Sequence, residues 1–75
     1  MLELYVMESC PYCQKVLKYF DEKNISYNRM DISNRENYDN LIRLGGMEQV
    51  PFLNDTENEV TMYESSDIID YASKL

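Results

Sequence analysis

Between residues 2 and 32 the spacing of apolar side chains changes twice, and a strand, a helix and a second strand accommodate both changes. Residues 2–7, Leu-Glu-Leu-Tyr-Val-Met, are rich in strand formers and alternate only in part, which predicts a short, mostly buried strand. Glu8 and Ser9 leave it. Pro11 follows Cys10, and proline is preferred at the first helical position because the N–H it lacks would have no partner there. Val16, Leu17, Tyr19 and Phe20 then recur at helical spacing, so a helix is expected over about residues 11–24. Residues 25–32 alternate polar with apolar. Their separation from the first strand suits a helical crossover, so this second strand is expected to run parallel to the first.

The remainder reads in the same way. Ser33 or Asn34 can cap a second helix with Tyr38, Leu41, Ile42 and Leu44 on one side, and Gly45-Gly46 supplies its stop. Residues 50–53, Val-Pro-Phe-Leu, form a brief apolar strand, residues 54–58 a polar turn, and residues 59–62 a second brief strand, which together make a hairpin. Ser65 or Ser66 caps a last helix carrying Asp67 in its first turn, Ile68, Ile69, Tyr71, Ala72 and Leu75 as apolar positions, and Lys74 near its end. The order is β-α-β-α-β-β-α, an α/β chain expected to form a four-stranded mixed sheet with three helices. Neither a linker nor a repeat interrupts residues 1–75, so one domain is expected. A chain this short buries only about 60% of its unfolded surface, and 44% hydrophobic residues with two Gly and two Pro suit an efficient core better than a disordered chain.

Charge and cysteine usage narrow the function. Fourteen acidic residues oppose seven basic ones, and the basic residues, at 15, 18, 23, 29, 35, 43 and 74, form no run. Nucleic acid is therefore not expected as a partner, since phosphate binding needs clustered Lys and Arg. The chain opens Met-Leu-Glu without a basic stretch leading into an apolar segment, and no apolar run approaches the ~20 residues that span a bilayer, so a cytoplasmic protein without membrane attachment is expected. The two cysteines lie three positions apart with no third, which points to redox chemistry or metal instead of a staple between distant segments. Histidine is absent, so catalysis must come from thiols.

A thiol attacks as its thiolate, and Cys10-Pro11-Tyr12-Cys13 places one cysteine where that form is favoured. Cys10 falls at the expected helix N-cap, where unpaired amides of the first turn, including those of Tyr12 and Cys13, can point at its sulfur and the helix dipole adds positive potential. Pro11 supplies no amide hydrogen but fixes the turn that aims the others. Cys13 lies one turn along the same face, close enough to close a ring with Cys10 yet deeper and less able to ionise. Cys10 is thus expected to attack and Cys13 to resolve. Two other readings stand beside this one. Zinc would need two further ligands, which this chain offers only across a dimer interface, and two inert core cysteines would leave Pro11 without a packing rationale.

Pro51 also wants an explanation, because proline interrupts strand pairing. A cis bond after Val50 would turn the chain sharply and leave the Val50 N–H and C=O unpaired, free to receive an extended peptide. An ordinary trans proline at a strand start is the commoner case.

Strand, Cys-Pro-Tyr-Cys, parallel crossover, Gln-Val-Pro before a hairpin and a final helix together resemble the glutaredoxin family across essentially the whole chain. The resemblance implies a thioredoxin-like fold, with Pro51 cis and facing the cysteines, and glutathione lying between Tyr12, the backbone of Val50 and the start of the last helix. Two positions depart from the family pattern. Met7 stands where a Lys usually meets a glutathione carboxylate, and Arg43, otherwise a residue of a solvated helix face, is a candidate replacement for that cation. In place of a Gly-Gly pair before the last helix, Glu64-Ser65 resembles the glutathione-binding signature of glutathione transferase N-terminal domains. That makes Glu64 and Ser65, with Ser66 beside them, candidates for the γ-glutamyl end, although Ser65 reads equally well as a helix cap. The function expected is reduction of protein disulfides or glutathione mixed disulfides by a monomer with no bound cofactor, with glutathione as reductant. One alternative is a small electron donor docking on one reductase, which Met7 favours. Another is an iron–sulfur carrier in which two chains each give one thiolate, a role the resemblance associates more with Gly after the first Cys. Transferase activity would lack the helical domain that usually shapes an electrophile site.

Overall fold

A strand with Leu2, Leu4, Tyr5 and Val6 all buried has apolar side chains on both faces, so it belongs in the middle of a sheet covered on both sides. In the computed structural model, which describes residues 1–75, β1 (Leu2–Val6) is indeed central. It pairs in parallel with β2 (Asn28–Asp31), from Glu3 opposite Asn28 to Val6 opposite Asp31. On its other side it pairs antiparallel with β3 (Phe52–Asp55), which in turn carries β4 (Val60–Met62), giving the order β2-β1-β3-β4. Helices α1 (Pro11–Glu22), α2 (Arg35–Gly45) and α3 (Ser65–Ser73) complete the expected β-α-β-α-β-β-α order, a four-stranded mixed sheet with three helices.

The alternation of β1 divides the core. Leu2, Leu4 and Val6 join Cys13, Val16, Leu17 and Phe20 of α1, Leu53 of β3, and Ile68 and Ala72 of α3. Tyr5 faces the other way and meets Phe52 and Leu41 of α2. No helix is long and apolar enough to cross a membrane.

Boundaries differ from the sequence reading where a single residue takes an unusual backbone. Asn24 adopts φ 55°, and the bonds Asn24 N–H to Asp21 C=O and Ile25 N–H to Phe20 C=O close α1 in a Schellman arrangement, so the helix ends at Glu22. Ile25 and Tyr27 consequently pack from a connector against the α1 side of the core, and β2 begins only at Asn28. Asn34, of the two candidates, caps α2, accepting from the amides of Glu36 (2.9 Å) and Asn37 (3.2 Å). Gly46, at φ 82°, ends α2, whereas Gly45 is still helical. Strand β3 starts at Phe52 instead of Val50, because the Val50–Pro51 bond is cis, and continues through Asn54 and Asp55, which were expected in the turn. Neither Ser65 nor Ser66 caps α3. Glu64 is the N-cap, its extended backbone leading straight into Ser65 as the first helical residue, and it makes no side-chain cap bond.

Asp55 ends its strand buried, and this explains why so polar a residue extends β3. Its carboxylate accepts from the Asn58 side chain at 2.8 Å, from the Tyr71 hydroxyl, and from the amides of Glu57 and Asn58. The Asn58 and Tyr71 bonds hold the acid down to about 2 from its ordinary 3.8. A carboxyl depressed on folding stabilises fully above its unfolded value, and that contribution disappears as pH falls through the folded one. Asp55→Asn is therefore expected to melt below wild type at neutral pH, with the gap closing between about pH 4 and about pH 2 in circular-dichroism melts. A gap independent of pH would show that the charge of Asp55 is not what its partners stabilise.

Candidate functional site

The chain leaves β1 at Val6 and turns at once, with the Cys10 N–H donating to the Met7 carbonyl at 3.1 Å. This turn sets Cys10 at the N-cap of α1 with φ −86° and ψ 116°, and Pro11 opens the helix. The Cys13 amide donates to Cys10 Sγ at 3.2 Å. Of the two amides expected at this sulfur only that of Cys13 reaches it, since the third helical position lies beneath the cap side chain. Both cysteines are free thiols, Cys10 half-buried and Cys13 fully buried in the α1–α3 core. Burial first, and then the neighbouring Cys10 sulfur, push the Cys13 thiol well up from its ordinary range. The same turn of helix therefore presents one sulfur to solvent and keeps the other protonated beneath it.

The second wall is the segment before β3. With the Val50–Pro51 bond cis and Pro51 buried, the Val50 carbonyl lies 4.0 Å from Cys10 Sγ, and the Val50 N–H has no partner within the fold. The third wall is the start of α3, where Glu64 is exposed and the amides of Ser66 and Asp67 are likewise unpaired. These walls enclose an open groove of about 390 Å³. Tyr12, Val50, Pro51, Glu64 and Ser65 line it, as does Gln49, whose side-chain amide approaches Glu64 Oε1 at 3.5 Å.

Ser66, the second residue of α3, is exposed and does not line the groove. Arg43 lies on the exposed face of α2, bonded to Asn40 Oδ1 at 3.2 Å, and also contributes nothing to the lining. Met7 is exposed and borders a separate depression with Glu8, Ser9, Asp31 and Ser33. Two lining residues, Gln49 and Tyr63, were not singled out from the sequence. Each directly precedes a residue that was, Val50 or Glu64, and that adjacency was the available signal.

Residues 4–75 match the family described as glutathione S-transferase, N-terminal domain. Glutaredoxin 2 of Escherichia coli is 35% identical over 74 residues, which cover 99% of this chain and 34% of that protein. Glutaredoxin 1 of Rickettsia conorii is 39% identical over 51 residues, 64% of this chain and 50% of the relative. The chain thus spans about a third of the first relative's length and half of the second's. A crystal structure of glutaredoxin 2 from Salmonella typhimurium in complex with glutathione superposes with a TM-score of 0.80 at 28% identity, covering 96% of this chain and 32% of that one.

The difference in exposure between the two sulfurs has a direct consequence. Brief treatment with iodoacetamide at neutral pH is expected to label Cys10 roughly tenfold or more over Cys13, with peptide mass spectrometry as the readout, because Cys13 is buried and its thiol is pushed up, leaving little thiolate to react. Labelling of Cys13 at an equal rate would mean that its burial is transient and that the two roles are not separated.

Proposed function

This chain belongs to the glutaredoxin family of thioredoxin-like proteins, with a domain of the glutathione S-transferase N-terminal type, and we propose that it reduces glutathione mixed disulfides and protein disulfides through Cys10. One observation carries the reading: a half-buried thiol at a helix N-terminus, touched by an amide donor at 3.2 Å, lies 4.0 Å from the carbonyl of Val50, whose N–H is unpaired and which lines the adjoining open groove.

The groove suits glutathione in three places. An extended peptide can use the free N–H of Val50 and, in place of the Cys10 thiol, its C=O as strand partners, which brings its own sulfur over Cys10. Tyr12, two-thirds exposed, offers a ring face beside that path. At the far end a carboxylate can meet the unpaired first-turn amides of α3 and the Ser65 hydroxyl, with Ser66 beside them, while Glu64 can pair with an ammonium. The relative from Salmonella typhimurium, solved in complex with glutathione, supports this assignment.

In the proposed reaction the Cys10 thiolate attacks the glutathione sulfur of a mixed disulfide. The bond between Cys10 and glutathione forms as the substrate's disulfide breaks, and the substrate leaves as a thiolate that takes a proton from water. A second glutathione thiolate then attacks the glutathione sulfur held on Cys10, releasing glutathione disulfide and the reduced enzyme. With a protein disulfide, Cys10 becomes joined to one substrate sulfur, and Cys13 loses its proton and attacks Cys10 Sγ. That closes the Cys10–Cys13 disulfide and frees the substrate as a dithiol; two glutathione molecules then restore both thiols. No bound cofactor is needed. A second reading, electron donation to one docked reductase, draws on a groove lining that contains neither Lys nor Arg.

Cys10→Ser is expected to abolish both reactions. Cys13→Ser should keep at least about a tenth of the rate on a glutathionylated peptide and lose reduction of protein disulfides, because only the second route needs a resolving thiol. NADPH consumption coupled to glutathione reductase measures the first. Wild-type turnover only with thioredoxin reductase would favour the docking reading.

A further inference from the structure

Tyr63 looks like one more core tyrosine in the sequence, yet its hydroxyl is engaged twice by the same residue. It accepts the Met47 N–H at 3.1 Å and donates to the Met47 carbonyl at 3.0 Å. Met47 belongs to the short segment that joins α2 to the cis peptide, and that segment's other bonds are local: Gly46 N–H to Ile42 C=O, and Gln49 N–H to Met47 C=O. Beyond these, the Gln49 side chain reaches Glu64 at 3.5 Å, and Glu48 faces the Tyr38 hydroxyl of α2, away from the hairpin. Met47 itself is half-exposed, so packing holds the segment only at its far end, where Val50 meets the core. The Tyr63 pair is therefore the firm tie between this segment and the hairpin.

Two further features fit a built latch. The Tyr63 ring packs on Phe52 with centroids 4.6 Å apart, and Phe52, buried against Tyr5 and Leu41, directly follows Pro51, so the ring is fixed from the core as well. Gly45, still helical and not required for a left-handed turn, leaves the space the hydroxyl occupies. A Cβ there would lie 2.0 Å from Tyr63 Oη, 2.7 Å from Cζ and 2.9 Å from a Phe52 ring carbon. A stiff ring packed on a buried ring cannot yield that distance cheaply.

We propose that Tyr63, through its paired bonds to Met47 and the space left by Gly45, is a positioning residue that holds the Val50 backbone edge in register with Cys10 for substrate binding. The hydroxyl touches none of the reacting atoms. It acts through the segment that ends in Val50, whose carbonyl lies 4.0 Å from Cys10 Sγ. Free movement of that segment would cost the substrate its strand partner before it altered sulfur chemistry, so the effect belongs in binding. This role rests on the function proposed above, since it is read out with the same substrate.

The test is Tyr63→Phe, which keeps the ring on Phe52 and removes only the hydroxyl, beside wild type in the glutathionylated-peptide assay. KM is expected to rise about fivefold with kcat held within about twofold, the size of effect that loss of a hydrogen-bonded pair produces. Hydrogen exchange at the Met47 amide, followed by NMR, is expected to quicken in step. Gly45→Ala reaches the same latch from the other side and should raise KM in the same direction. An unchanged KM in Tyr63→Phe despite faster exchange at Met47 would overturn the role, as would a fall in kcat at constant KM. A wild type that fails to turn over the glutathionylated peptide would instead overturn the functional reading, and this role with it.

Discussion

The site depends on how closely a fully buried central strand is followed by a helix. β1 cannot tilt or slide, because Leu4 and Val6 are locked into one side of the core and Tyr5 into the other. The turn after Val6 is closed by the Cys10 N–H to Met7 bond, so the axis of α1 and the position of its N-cap follow from the register of β1. Cys10 and Cys13 inherit that rigidity. Their different surroundings come from the helix itself: the cap position faces outward, and a residue one turn deeper on the core-facing side has no access to water.

Rigidity on one wall is useful only if the opposite wall is equally fixed, and that wall comes from distant sequence. Val50 and Pro51 sit at the head of β3, whose pairing with β1 puts Leu53 opposite Leu4 and Phe52 opposite Tyr5. The segment before them is less constrained, being exposed at Met47, Glu48 and Gln49. The start of α3 provides the third wall, and its uncapped amides stay available because Glu64 spends no side-chain bond on them. At the opposite end of the sheet, Asp55 ties the hairpin to Tyr71 near the C-terminal end of α3.

Much of this could be read from residue order. Element order, the parallel crossover and the different fates of Cys10 and Cys13 followed from apolar spacing and from the place of Pro11, because period and capping chemistry are local properties. The boundaries that shifted did so at Asn24, Pro51, Asp55 and Glu64, where one backbone angle or one buried carboxylate outweighed local propensity. Asp55 shows why: as a sequence letter it is a turn residue, and only its Asn58 and Tyr71 partners make it a buried strand end.

The sequence by itself determined where the two sulfurs sit, since a Cys-Pro-Tyr-Cys run behind a buried strand has one helix to begin and two sulfurs to distinguish, all within a single turn. It also carried the candidates Tyr12, Val50, Pro51, Glu64 and Ser65, which the fold gathers around one groove. Only tertiary structure decided that Ser66 and Arg43 stay outside it, and that Gln49 and Tyr63 belong to it. Gly45 is the clearest case. Its lack of a side chain resembles a helix stop in the sequence, but the space is filled by a hydroxyl from residue 63, and no local pattern encodes a contact across that separation.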